Sequence, residues 1–254
     1  MSYIDFHCHL DWESFNKDRK ELILELEKNK IIAFSNTVTP KNYFETKKLF
    51  KNSNNIRVTP GLYPTEAEII SDKEFNEYLN LLEKEKNNFE FFGEVGLDFY
   101  KTKDLNLRNK QEKRFKQIIE FAIKLDKPLC IHTRGAEEKV IEIIEEYIKK
   151  TNFNKFNLHC FSGKKKLIKK IIELKIFCSI PLTILNTEHF KNLVLELPIK
   201  QILVETDSPF LNPSKERNSP LNVPIIYKEI AKIKGLNEIE IENIIYKNYL
   251  KLII

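Results

Sequence analysis

The sequence predicts a TIM-type (β/α)8 barrel, an α/β fold of the metallo-dependent hydrolase type, and three observations carry that prediction. Eight short apolar runs rich in Ile, Val and Phe alternate with stretches of helical period. The length of 254 residues suits one such barrel over residues 1–254 better than two ordinary domains. The residues able to hold a cation fall where the runs end, on the face where barrel enzymes keep their chemistry.

The runs cover residues 3–9, 30–38, 56–61, 89–95, 128–132, 156–161, 176–180 and 201–206. Most are bounded by turn residues and apolar throughout, as strands buried on both faces should be. Between them, Phe115, Ile118, Ile119 and Ala122 mark one stripe of a 3.6-residue period within residues 114–126. Val140, Ile144, Tyr147 and Ile148 repeat it, and residues 165–174, 187–197, 221–232 and 237–252 read as helices too. A doubly wound nucleotide-binding sheet is the rival architecture. Only six glycines occur and no G-x-G-x-x-G follows the first run, which counts against it. The connection over residues 208–224 is long, proline-rich and on the mouth side of the barrel.

Composition narrows the setting. With 42% hydrophobic residues the chain can bury a large core, yet it holds no run of ~18 apolar residues, so no membrane association is expected. The N-terminus opens directly into a strand, without a basic leader or an apolar segment typical of secretion. Cys8, Cys130, Cys160 and Cys178 all fall in predicted strands and read as buried free thiols, which points to a reducing, cytoplasmic setting. The net charge of +5 suits an anionic substrate only weakly. Six of the 42 basic residues are Arg and the rest Lys, a bias that an A- and T-rich genome also produces.

Imidazoles and carboxylates converge at the strand ends. His7 and His9 are two apart on the first strand, so both point into the lumen, where two imidazoles can grip one divalent cation. Glu94 ends the fourth strand, where its carboxylate can bridge two cations. His132 and His159 end strands five and six and complete a second site. Asp207 follows strand eight, next to strand one in a closed barrel, and suits both metal ligation and handling the proton of a water molecule. Glu205 lies one layer deeper on the same face and is expected to orient a ligand. A lone H-x-H is a weak signal; the joint pattern is far stronger. Alternation turns Cys8 and Cys160 away from the lumen and sets Cys130 below His132, so the thiols read as small buried hydrophobes. His189 falls in a predicted helix, outside this set.

Other residues suit a phosphate. Arg134 lies on the loop after His132, and Arg217 in the 208–224 connection; a guanidinium offers forked donors to phosphate oxygens. Ser162 and Gly163 are expected to open the helix after strand six, where unpaired backbone N–H groups favour an anion. Tyr63, Tyr100, Phe161 and Phe210 lie just beyond strand ends and could stack on bases, although packing is the commoner role for each.

With these residues assembled, the chain resembles the TatD family of metal-dependent deoxyribonucleases over nearly its whole length. The resemblance rests on Asp5-Phe6-His7-Cys8-His9-Leu10-Asp11, Gly93-Glu94-Val95-Gly96-Leu97-Asp98-Phe99-Tyr100 and Ile131-His132-Thr133-Arg134. It continues through His159-Cys160-Phe161-Ser162-Gly163, Glu205-Thr206-Asp207-Ser208-Pro209 and Arg217-Asn218-Ser219-Pro220. It implies that His7, His9, Glu94 and Asp207 hold one cation and Glu94, His132 and His159 the other. It further implies hydrolysis of DNA, 3′–5′ from the ends of single strands, supported by magnesium or a similar ion. Two departures stand out. Tyr63 replaces a histidine usual in the family's Gly-x-His-Pro motif, and Gly135 replaces an acidic residue often found after Arg134.

The expectation is therefore two-metal phosphodiester hydrolysis with two divalent ions, magnesium foremost and manganese or zinc also open. Catalysis is assigned to Asp207 and Glu94. Arg134, Arg217, Tyr63, Ser162 and Gly163 are assigned to the substrate. Single-stranded DNA is the favoured substrate, with RNA open, and no obligate protein partner is evident. One rival keeps the barrel and changes the substrate, giving an amidohydrolase-like deaminase, lactonase or esterase. Several such enzymes bridge their metals with a modified lysine at strand four, where this chain has Glu94. A rival of another class is a nucleic-acid-binding protein with a structural metal.

Overall fold

Each strand of the computed structural model, which describes residues 2–254, is followed by a helical connection, and the strands run parallel. The order is β1 (Tyr3–Cys8), α1 (Arg19–Lys28), β2 (Ile31–Asn36), α2 (Pro40–Leu49) and β3 (Ile56–Thr59). A short α3 (Pro64–Ala67) precedes α4 (Asp72–Lys84), β4 (Phe92–Gly96), α5 (Leu105–Leu125) and β5 (Leu129–His132). There follow α6 (Glu137–Thr151), β6 (Phe156–His159), α7 (Lys166–Glu173), β7 (Phe177–Ile180), α8 (Glu188–Glu196) and β8 (Ile202–Val204). The chain ends in α9 (Val223–Lys234) and α10 (Glu238–Ile253).

All eight expected strands form, each shorter than its apolar run by one to three residues. The structure corrects the helices more. It adds α1, α2 and α4: the first two bury only two residues each behind largely charged outer faces, whereas α4 carries a clear stripe of Phe75, Tyr78 and Leu82 that the sequence reading omits. α5 begins nine residues before Arg114, where Asp104 caps it by accepting the Leu107 N–H at 2.9 Å. The helix after β6 begins at Lys166, so Ser162 and Gly163 lie in the preceding loop and do not open it. Cys160 sits just past β6, not within it, and all four thiols are free.

The ladders form two sheets, β1-β2-β3 and β4-β5-β6-β7-β8. Isolated backbone bonds close the two seams. At one, Asp207 N–H donates to the His7 carbonyl (2.8 Å) and His9 N–H to the Ser208 carbonyl (2.6 Å). At the other, Gly93 N–H donates to the Pro60 carbonyl and Leu62 N–H to the Glu94 carbonyl, both at 2.9 Å. Gly61 is needed there: a Cβ would stand 1.8 Å from the Thr37 carbonyl oxygen. Each seam thus runs beside residues of the expected metal site.

Two apolar layers hold the barrel. The larger lies between strands and helices and includes Cys8, Leu22, Ala33, Phe92, Phe115, Ile131, Ile144 and Ile226. The smaller fills the lumen floor with Ile4, Phe6, Phe34, Phe91, Cys130, Phe177 and Leu203, closed from below by Tyr249 and Leu252 of α10. Phe6 stacks on Phe91 with ring centroids 4.3 Å apart. Strict alternation would send Phe6 outward with Cys8. The β1–β2 register shifts between Asp5 and Cys8, and such a bulge lets Phe6 and His7 both face inward. Phe6 therefore belongs to the apolar floor, and His7 begins the polar layer above it.

Candidate metal centre

Six side chains from five strand ends meet above that floor. Glu94 turns one oxygen to each of two imidazole pairs. Its Oε2 lies 3.8 Å from His7 Nε2 and 3.6 Å from His9 Nε2. Its Oε1 lies 2.6 Å from His132 Nδ1 and 3.3 Å from His159 Nε2. Asp207 Oδ1 joins the first pair, 3.4 Å from His7 Nε2 and 3.5 Å from His9 Nε2. Two sets of donor atoms fall within 4.8 Å of one another, namely His7–His9–Asp207 and His7–Glu94–His159.

The far side of each imidazole is tethered. The His9 ring faces the Asn36 carbonyl through Nδ1 at 2.8 Å. His159 Nδ1 lies 3.1 Å from Glu205 Oε1, and His132 Nε2 lies 3.2 Å from Asp98 Oδ2. Nδ1 of His7 lies 3.4 Å from the Cys130 sulfur. A proton placed on each tethered nitrogen leaves the inward nitrogen with a lone pair, the tautomer that a cation requires.

The residues fit divalent cations on two counts. The donor set is imidazole nitrogen and carboxylate oxygen, suited to magnesium, manganese, zinc and similar ions. His132 Nδ1 is buried and makes no hydrogen bond, although Glu94 Oε1 is only 2.6 Å away. The two atoms approach without aligning on each other, as ligands of a shared ion do. A buried nitrogen left in that state is otherwise costly.

The electrostatics agree. Burial raises the Asp207 carboxyl, yet the hydrogen-bonding imidazoles of His7 and His9 outweigh it and hold it below the usual range. Burial also raises Glu94, and His132 and His159 more than offset it. Burial lowers His9, but Asp207 and Glu94 lift it to about 9. Without a cation the cluster draws protons onto imidazole to balance its carboxylates; a divalent ion takes the place of those protons.

The other expected residues are less concentrated. Glu205 is fully buried beneath His159 and also accepts the Ser179 hydroxyl. The Tyr63 phenol donates to Asp98 Oδ2 at 2.8 Å, so its proton is committed beside His132. Arg134 stacks on the Tyr100 ring with Cζ 4.0 Å from the centroid. Arg217 grips both carboxylate oxygens of Asp18 and the Ser14 carbonyl, so the structure engages its forked donors in joining two loops. Ser162 is exposed and lies 3.4 Å from Glu137 Oε1, while Gly163 packs over Phe161. His189 meets the Phe161 carbonyl at 3.0 Å, away from the centre.

Sequence reasoning assigned no role to Asn36, Asp98 or Asp5. Asp98 stood in the Gly96-Leu97-Asp98 motif, and a carboxylate just past a strand end was the available signal. Asp5 accepts the Thr206 N–H (2.8 Å) and hydroxyl (2.6 Å), binding β1 to the segment that carries Asp207. Burial pushes its carboxyl up to about 8 against those hydrogen bonds.

Comparison with known proteins follows the same lines. A family model described as TatD related DNase matches residues 4–253. An uncharacterised metal-dependent hydrolase of Methanocaldococcus jannaschii is 33% identical over 252 residues, covering 99% of this chain and 96% of that protein. Human deoxyribonuclease TATDN3 is 30% identical over 263 residues, covering 99% and 94%. Among solved structures, the TatD homologue YJJV of Escherichia coli superposes with a TM-score of 0.86 at 21% identity, covering 99% of this chain and 97% of its own. A TatD family hydrolase of Entamoeba histolytica gives 0.83 at 20% identity, covering 100% and 98%. At such identities the structural likeness speaks to the fold.

Proposed function

The chain belongs to the TatD-related DNase family of metal-dependent hydrolases, and from that premise we propose that it hydrolyses phosphodiester bonds of DNA, releasing nucleotides from the 3′ end of single strands. The observation that carries this reading is the division of Glu94 between two imidazole pairs, with a separate oxygen on each. That arrangement suits two divalent ions, magnesium foremost, and manganese and zinc have the same ligand preferences available. His7, His9, Glu94 and Asp207 would hold one ion, and Glu94, His132 and His159 the other.

Cations held there supply Lewis acidity toward a phosphoryl oxygen and toward water. The chain's own groups do the rest. Asp207 turns Oδ1 to the imidazoles and stands partly open to solvent, so it orients the attacking water and takes its proton at Oδ2. Glu94 fixes the spacing between the two halves of the centre. Arg134 presents its N–H edge to the phosphate while Tyr100 holds its flat face. Glu205 and Asp98 hold the rings of His159 and His132 against rotation. Four free thiols support a reducing, cytoplasmic setting for the reaction.

An end-labelled single-stranded oligonucleotide incubated with EDTA, Mg, Mn or Zn tests the proposal, with Asp207→Asn alongside. The expected result is a metal-dependent ladder receding from the 3′ end and absent in the folded variant. Folded, metal-loaded protein that leaves the strand intact in every metal would sink the nuclease reading; turnover of esters, lactones or nucleosides would then mark the amidohydrolase-like alternative.

A further inference from the structure

Two aromatic rings stand open to solvent beside the metal centre. Trp12, the sole tryptophan of the sequence, is 45% exposed, and Phe210 is 41% exposed. They meet edge to face with centroids 4.9 Å apart, and the Phe210 ring lies 6.0 Å from that of His9. Each sits three residues beyond a candidate ligand, Trp12 after His9 and Phe210 after Asp207.

Their backbones are anchored. Phe210 N–H donates to the Asp207 carbonyl at 2.8 Å, and Phe15 N–H to the Trp12 carbonyl at 3.0 Å. Arg19 donates to the carbonyls of Leu10, Asp11 and Trp12 at 3.0–3.1 Å. Arg217 ties the Phe210-bearing loop to the Trp12-bearing loop through Ser14 and Asp18. Tyr100, the exposed ring on the other side of the mouth, is covered by Arg134 and Lys103. Among the described residues no cation covers Trp12 or Phe210. An edge-to-face pair occupies one ring face only. An open aromatic pair on a fixed backbone beside a polar centre is therefore poised for a flat ligand.

We propose that Trp12 and Phe210 form a base-stacking subsite for the nucleotide next to the scissile phosphate. The ligand class is an unpaired nucleobase, because every base has a π-face and a stacked, paired base does not offer it. The subsite gives the centre its preference for single-stranded or frayed ends without reading sequence. This inference rests on the phosphodiesterase reading of the metal centre, and the following experiment separates the two.

Two strands are compared, one ending in a normal nucleotide and one ending in an abasic tetrahydrofuran residue. Wild-type protein should show a KM about tenfold lower for the base-bearing end, the scale of one stacked base. That ratio should collapse toward one in Trp12→Ala and in Phe210→Ala, and Trp12→Phe should retain it. Circular dichroism confirms that each variant is folded, and the ratio within one variant cancels any general loss of activity. Trp12 fluorescence, titrated in EDTA, should quench with the base-bearing strand and much less with the abasic one. Equal KM and equal quenching for both strands would overturn the subsite and leave the hydrolysis reading untouched. Base-dependent quenching with no cleavage in any metal would sink the hydrolysis reading and keep the subsite. A ratio retained in folded Trp12→Ala and Phe210→Ala would confine the pair to holding the loops together.

Discussion

At the scale of single residues, the centre depends as much on what stands behind the imidazoles as on the imidazoles themselves. Glu205 and Asp98 each face one ring nitrogen, which favours the tautomer whose inward nitrogen is free for a cation. Glu205→Gln and Asp98→Asn should weaken metal binding by roughly 10–100-fold while leaving the fold intact, as outer partners of ligands typically do. Isothermal titration with Mn or Zn measures this, and unchanged affinity would remove them from the site. The carboxylates of Asp207 and Glu94 set the pH dependence. His9 is held at about 9, so below that pH its ring is protonated in the metal-free protein. A ligand must lose that proton to bind, so apparent affinity should rise with pH toward 9 and loading at pH 7 should release protons. Titrations in buffers of different ionisation enthalpy read the proton count; none released would contradict the assignment. Asp207→Asn belongs here too, with nearly all turnover lost and the fold kept.

At the scale of elements, the strands needed little beyond their own residues, whereas the early helices needed the sheet. Runs such as Leu129 to Ile131 in β5 and Ile202 to Val204 in β8 are apolar on both faces, a pattern with few competing interpretations. In α1 only Leu22 and Leu26 are buried, and in α2 only Tyr43 and Thr46, so their helical stripes are nearly erased by charged outer faces. Such helices form because packing on the strands stabilises them. α4 is better marked: Ser71 and Glu74 form a reciprocal capping box before Phe75, Tyr78 and Leu82 reach the core. Ser71→Ala should cost about 1 kcal/mol in chemical denaturation with the metal centre undisturbed. Gly61→Ala should cost more, about 1–3 kcal/mol, because its Cβ must displace the backbone at the β3–β4 seam. A Gly61→Ala protein as stable as wild type would mean that the seam relaxes freely.

At the scale of the whole molecule, the candidate cation ligands stand at ends of strands that the ladders leave unjoined, where a bound ion would staple them. His7, His9 and Asp207 face one another across the seam between the first and last strands, and Glu94 stands at the seam between the two sheets. Metal loading should therefore stabilise the fold as a unit. A free ion at 100 times its dissociation constant contributes about 2.7 kcal/mol, and for a domain of this size that raises Tm by roughly 5–10 °C. EDTA should reverse the shift, and calorimetry showing no difference between loaded and stripped protein would contradict it. The sequence by itself determined the barrel, the strands and the six side chains of the centre, because a ligand type at a strand end is a local signal that alternation aims at the lumen. Only the tertiary structure decided which groups tether those ligands, that Phe6 and His7 both turn inward, and that Arg217 is spent on Asp18. It alone set Trp12 against Phe210 across 198 positions of chain. Those relations depend on register shifts and loop-to-loop contacts between distant segments, and no local pattern of residues encodes a distance across the mouth of a barrel.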